Sequence, residues 1–145
     1  MNWYKTSQVT NFTDQTQSNI GGPNINIRPL EPMVQEVVRE LQAQSPGIFD
    51  HITDIVVDVG YGQFGSVVST SPNTIRVNMN NIKDELRSKG WDEHMPEYKE
   101  QLKNTIKEVL IHEHSHTTDY DPNTGKFPGG EAIADRAVQQ YFPRQ

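Results

Sequence analysis

The chain has 145 residues, of which 33% are hydrophobic and 22% charged, so we expect one domain of ordinary size with a modest core. Its 13 basic and 19 acidic residues give a net charge of −6, which has the wrong sign for binding the phosphates of nucleic acid. There is no cysteine, which excludes disulfides, cysteine-ligated metal sites and thiol catalysis.

The first 30 residues are polar and show no hydrophobic period, although Ile25 and Ile27 alternate like a short strand. We predict an irregular N-terminal arm over residues 1–30 and a single domain over residues 31–145. The arm lacks a basic stretch followed by an apolar segment, and no apolar run approaches the roughly 20 residues that span a bilayer. We therefore expect a soluble, cytoplasmic protein without a secretory signal and without a membrane partner.

Apolar residues recur on one helical face from Pro32 onward, and Ser45-Pro46-Gly47 ends this first predicted helix. Three short strands with alternating apolar residues follow, and strands so closely spaced favour hairpins. They are predicted at 52–59, 64–70 and 74–79, with turns at 60–62 and 71–73. The expected sheet is therefore three-stranded and mainly antiparallel, with the first helix packed behind it.

Three further helices are predicted over residues 81–89, 96–117 and 131–142. The second of these is the longest, and its apolar stripe is formed by Leu102, Ile106, Val109 and Leu110. With the strands, these helices place the chain in the α+β class.

The most informative segment contains His112, Glu113 and His116 in the spacing H-E-x-x-H. Residues four apart lie on the same face of a helix, so both imidazoles can bind one metal ion, and zinc suits them best. Glu113 lies between them in angle, where its carboxylate can reach a metal-bound water without being a ligand. All three residues extend the apolar stripe, so the group faces the buried side of the helix and needs a partner there.

A third ligand is available downstream, where Gly129-Gly130 precedes Glu131 and Asp135. These two acidic residues share one helical face, so Glu131 can bind the metal while Asp135 accepts a proton from a zinc-bound histidine. Asp119 and Asp121 are alternative third ligands, although the residues from Asp121 onward also form a turn signal. His114 lies on the far side of the helix from both zinc histidines.

The spacing H-E-x-x-H followed by E-x-x-x-D on a second helix resembles the gluzincin zinc peptidases, and the small size resembles the minigluzincins among them. The resemblance covers residues 102–142, and more loosely residues 31–142. It implies that His112, His116 and Glu131 bind zinc, that Glu113 activates water and that Asp135 orients a zinc histidine.

The chain departs from the gluzincin pattern at two points. Gly130 stands where thermolysin-like enzymes have an asparagine before the ligand glutamate. Those enzymes also use a histidine or tyrosine outside the two helices to stabilise the oxyanion, for which Tyr120 and Tyr141 are the available candidates here.

The resulting hypothesis is a zinc-dependent endopeptidase in which Glu113 is the general base and a peptide or protein is the substrate. Such peptidases hold the substrate as an extra strand along a sheet edge, here predicted at 64–70 or 74–79. One rival is a latent or regulatory zinc-binding protein without turnover, with arm residues 1–30 lying in the cleft as an intramolecular inhibitor. A second rival is a metal-free domain with two core histidines.

Overall fold

A computed structural model describes residues 25–57 and 63–141. Within these ranges the chain forms four helices and a four-stranded sheet, which confirms the α+β class. The elements are β1 (Asn26–Arg28), α1 (Pro32–Gln44), β2 (Asp54–Val57), β3 (Gly65–Val68), β4 (Ser71–Val77), α2 (Met79–Ser88), α3 (Tyr98–Asp119) and α4 (Gly130–Tyr141). None of these helices has the length and hydrophobicity that crossing a bilayer requires.

The predicted arm lies outside the described residues as far as position 24, and so does the proposed inhibitory contact of that segment. The end of the arm is different, because β1 occupies residues that we assigned to it and pairs with β2. The alternation of Ile25 and Ile27 was therefore a genuine strand signal.

The sheet has the order β1-β2-β4-β3 and is mixed, so the expectation of a three-stranded, mainly antiparallel sheet is wrong. β1 pairs with β2, and β2 with β4, in parallel, whereas only β3 and β4 are antiparallel. The physical reason is the connections: parallel neighbours need a long crossover, and α1 provides it between β1 and β2. β3 lies within the connection from β2 to β4 and becomes one of the two outer strands, opposite β1.

The hairpin between β3 and β4 turns at Ser69 and Thr70, not at the predicted Ser71-Pro72-Asn73. Pro72 is the second residue of β4, and the pairing of β4 with β2 begins only at Thr74. A proline is tolerated near a strand end because few ladder hydrogen bonds are required of it there. The sequence therefore correctly predicted a turn between these two strands, but placed it too far toward the C-terminus.

The predicted helices agree with the structure to within two residues at each end that the structure describes. Local capping explains two of the starts. The side chain of Glu31 accepts a hydrogen bond from the amide of Met33 at the start of α1, and Asn78 accepts one from the amide of Asn81 at the start of α2.

The core lies between one face of the sheet and helices α1, α2 and α3. Alternate residues of β2 and β4 point into it, as period-two strands require. α3 contacts β3, β4, α1, α2 and α4, so the helix that carries the H-E-x-x-H segment is the most central element. Its fully buried side chains include Val34, Val37, Leu41, Phe49, Ile55, Ile75, Val77, Ile106 and Leu110.

An ion-pair network joins α1 to α3. Lys103 lies 2.8 Å from Glu36 and also pairs with Glu40, while Lys107 lies 2.8 Å from Glu40. Burial alone would raise the pKa of Glu40, but hydrogen bonds from the two lysines outweigh it and lower the pKa. The network therefore stabilises the fold with Glu40 ionised.

We expect Glu40→Gln to lower the free energy of unfolding by about 0.5–1 kcal/mol at pH 7, because it removes the charge that pairs with both lysines. A lowered folded-state pKa contributes stability above the ordinary glutamate pKa of 4.5 and loses it as pH falls. The difference between wild type and variant should therefore shrink toward pH 3 in urea titrations. Glu100→Gln, on the exposed first turn of α3, is the matched control. Equal stability of wild type and Glu40→Gln at pH 7 would contradict the network's role.

Candidate metal centre

Helix α3 carries the two histidines and the glutamate on adjoining parts of one face. Glu113 continues the buried stripe and is 6% exposed, while His112 and His116 are half-buried. The two imidazole rings are 5.0 Å apart and nearly perpendicular. The i, i+4 spacing therefore places both rings side by side, as predicted.

Glu131 of α4 faces these rings across the gap between the two helices. One of its carboxylate oxygens lies 2.9 Å from Nε2 of His112 and the other lies 2.9 Å from Nε2 of His116. The ligand atoms of the three residues lie within 4.8 Å of one another. Donors around a tetrahedral zinc ion are about 3.4 Å apart, so these residues fit a zinc ion with only small side-chain movements.

Asp135 lies one turn after Glu131 on the same helix. Its Oδ1 is 3.8 Å from Nδ1 of His112, the ring nitrogen that does not face Glu131. This distance is longer than a hydrogen bond, and the Asp135 side chain is 69% exposed. The structure thus places Asp135 beside the predicted histidine without forming the orienting hydrogen bond.

Asp119, a predicted alternative ligand, instead holds the start of α4. Its Oδ2 accepts hydrogen bonds of 2.7 Å from the Gly129 amide and 3.3 Å from the Gly130 amide. Gly130 has a φ of +54°, which favours glycine, and a Cβ on Gly129 would lie 2.1 Å from Ile133. The backbone conformation at Gly130 thus suits glycine, and the close contact at Gly129 leaves no room for a side chain at that position.

Asp121, the other alternative ligand, forms a turn. Its Oδ1 accepts a hydrogen bond from the Asn123 amide, and its own amide donates to the carbonyl of Lys126. Among the described residues, the group suited to a metal consists of His112, His116 and Glu131, without either aspartate.

The acid–base properties of the group follow from burial. Burial and, to a smaller extent, the negative charge of Glu131 raise the pKa of Glu113 to about 8. A carboxyl group with such a pKa accepts and releases protons near neutral pH. Burial also lowers the pKa of His116, which favours the neutral imidazole that binds metals.

An open cleft of about 870 Å³ leads to the group, and the start of β3 forms one of its walls. A Cβ on Gly65 would lie 2.8 Å from a methyl of Val109 and 3.0 Å from Cγ of Glu113. Glycine at this position therefore lets β3 approach α3 closely. We did not identify Gly65 from the sequence, although an isolated glycine inside a strand pattern is a signal of such an approach.

Two phenylalanines flank the group, and neither was predicted from the sequence as a site residue. Phe64 lines the cleft just before β3 with 44% of its surface exposed. Phe127 packs edge-on against His116 at a ring distance of 6.1 Å, and its other neighbour is Tyr120 at 5.3 Å. Tyr120 is not among the residues that line the cleft, and the side chain of Tyr141 lies outside the described part of the structure.

His114 lies on the opposite side of α3, as predicted. Its ring packs against Phe49 at 5.7 Å and against His51 at 5.1 Å. Nε2 of His51 is 2.6 Å from the hydroxyl of Thr117. Burial lowers the pKa of both histidines, so this cluster anchors the back of α3 with neutral rings.

Comparison of the chain with protein-family models, with curated proteins and with solved structures found no match in any of the three.

We expect Gly65→Ala to lower the free energy of unfolding by about 1–3 kcal/mol, because the added methyl group would collide with Val109 and Glu113. Thermal and urea unfolding measure this change. Ser66→Ala, at the next position of the same strand, only removes an atom and is the control. A Gly65→Ala variant as stable as wild type would show that β3 is not packed tightly against α3.

Proposed function

We propose that this protein is a zinc-dependent endopeptidase. The observation that carries the proposal is the approach of both Glu131 carboxylate oxygens to within 2.9 Å of the His112 and His116 Nε2 atoms, beside the buried Glu113. Two histidines and one carboxylate form a donor set used by catalytic zinc sites, which keep a further position open. The spacing of these residues also resembles the gluzincin peptidases.

In this proposal each residue of the group has a separate task. His112, His116 and Glu131 hold the zinc ion, which when bound would polarise the peptide carbonyl and acidify a water molecule. Glu113 removes a proton from the attacking water while the oxygen of that water bonds to the carbonyl carbon. Glu113 then delivers that proton to the amide nitrogen as the C–N bond breaks. Asp135 would orient His112 once its carboxylate moves from 3.8 Å to within hydrogen-bond distance of Nδ1.

The substrate would bind as an additional strand on β3. The sheet order leaves β4 between β2 and β3, so of the two strands suggested by the sequence only β3 has an unpaired edge. Gly65, Ser66 and Val67 of β3 line the cleft that contains His112 and Glu113. Backbone hydrogen bonds to such an edge hold an extended peptide largely independently of its sequence.

A zinc-binding protein without turnover is the second candidate function. One observation favours it: among the described residues that line the cleft, the only histidines are the two candidate ligands, and there is no tyrosine. The usual oxyanion-stabilising side chain of the gluzincins therefore has no counterpart in that lining. The uncharged side-chain donors in that lining are the amides of Gln63 and Gln139 and the hydroxyls of Ser66 and Thr105.

Metal content tests the first half of the proposal. We expect about one zinc ion per chain in protein purified without added metal or a histidine tag, measured by elemental mass spectrometry. His112→Ala should lose the zinc because it removes one of three ligands. His94→Ala, at an exposed histidine outside the cleft, should retain it. Wild-type protein that takes up no zinc on titration would overturn the proposal.

Removal of the general base tests the second half. We expect Glu113→Gln to retain zinc but to cleave peptides at least about 100-fold more slowly, because the amide cannot accept the proton. Glu100→Gln should cleave at the wild-type rate. Cleavage of a peptide library, read by mass spectrometry, provides the rates. Zinc-loaded wild type without turnover would support the second candidate, and an active Glu113→Gln variant would contradict the assigned role.

A further inference from the structure

The cleft extends past the candidate metal group toward the N-terminal part of α3, where three helices surround it. Leu86 of α2, Val109 of α3 and Val138 of α4 supply apolar surface to this end. Glu85, Lys89 and Glu108 also line it. We call the space bounded by these six residues the helical end of the cleft.

The charges at the helical end do not cancel. Nζ of Lys89 lies 3.2 Å from a carboxylate oxygen of Glu85, so these two residues neutralise each other. Glu108 is exposed and has no ion-pair partner among the described residues. The helical end therefore combines apolar walls with one unpaired negative charge.

Glu108 is also at a defined distance from the proposed reaction centre. It precedes His112 by four residues on α3, which corresponds to about 6 Å along the helix axis. Residues of an extended peptide are spaced by about 3.4 Å. For a peptide that runs along α3, a side chain that reaches Glu108 would therefore belong to a substrate residue one or two positions from the scissile bond.

We propose that Glu108 is a specificity-determining residue that selects a lysine or arginine side chain at this position of the substrate. This inference rests on the proposed peptidase function. The aliphatic stem of such a side chain would pack against Leu86, Val109 and Val138, while its charged end pairs with the Glu108 carboxylate. Acidic side chains are repelled at the same place, and the net charge of −6 adds to this repulsion at long range.

The test compares wild type with Glu108→Gln and Glu108→Lys on a positional-scanning peptide library. Wild type should prefer lysine or arginine within two residues of the cleaved bond. Glu108→Gln should lower kcat/KM for those peptides about fivefold and leave peptides with norleucine there unchanged. Glu108→Lys should shift the preference to aspartate or glutamate. Glu100→Gln, an equivalent charge removal on α3 outside the cleft, should behave as wild type.

A binding measurement separates failure of this inference from failure of the proposed function. Dipeptide hydroxamates that differ only in a lysine, norleucine or glutamate side chain are titrated calorimetrically into the zinc-loaded protein. Tighter binding of the lysine compound to wild type, reversed in Glu108→Lys, supports the inference even if no peptide is cleaved. Turnover or hydroxamate binding with the same preference in all three proteins would overturn the inference and leave the peptidase proposal intact. A protein that binds neither zinc nor hydroxamates would overturn both.

Discussion

The packing of α3 against the sheet is the constraint on which the rest of the structure depends. Leu102, Ile106 and Leu110 turn one side of this helix into the core, and the helical period then carries Glu113 to the same buried side. A carboxyl group in such a place is costly when ionised, and the raised pKa of Glu113 records that cost. The position of Glu113 on the central helix thus brings the pKa of its carboxyl group close to neutral pH.

The second half of the candidate site depends on how α4 is joined to α3. Asp119 is the last residue of α3, and its carboxylate accepts hydrogen bonds from the amides of Gly129 and Gly130 at the start of α4. These bonds tie the two ends of the connection between the helices together. Gly129 permits this turn because any side chain there would collide with Ile133. As a result Glu131, in the first turn of α4, lies opposite both histidines. The site is therefore a consequence of one helix-to-helix connection as much as of the H-E-x-x-H spacing.

Sequence periodicity was sufficient for the helices and for the side-by-side placement of His112, Glu113 and His116, since both depend on local spacing, whereas the position of Glu131 depends on the connection between α3 and α4. It was insufficient for the sheet, because strand pairing is decided by contacts between distant segments. The alternation in β2 and β4 was visible, yet nothing in it indicates that the two strands are parallel neighbours. The role of Asp119 was hidden for a related reason: a carboxylate near a possible metal site can bind the ion or cap a helix, and the direction of the next helix decides which.

The two halves of the candidate site differ in how firmly the fold holds them. His112, Glu113 and His116 lie on a helix that is packed on several sides, and the His114 cluster anchors its back against Phe49 and His51. Glu131 and Asp135 are 73% and 69% exposed, on a helix whose main contact is α3. In the proposed function, zinc would connect the firmly held half to the exposed half. Part of its binding free energy would then stabilise the docking of α4, so metal affinity and the packing of this helix would be coupled.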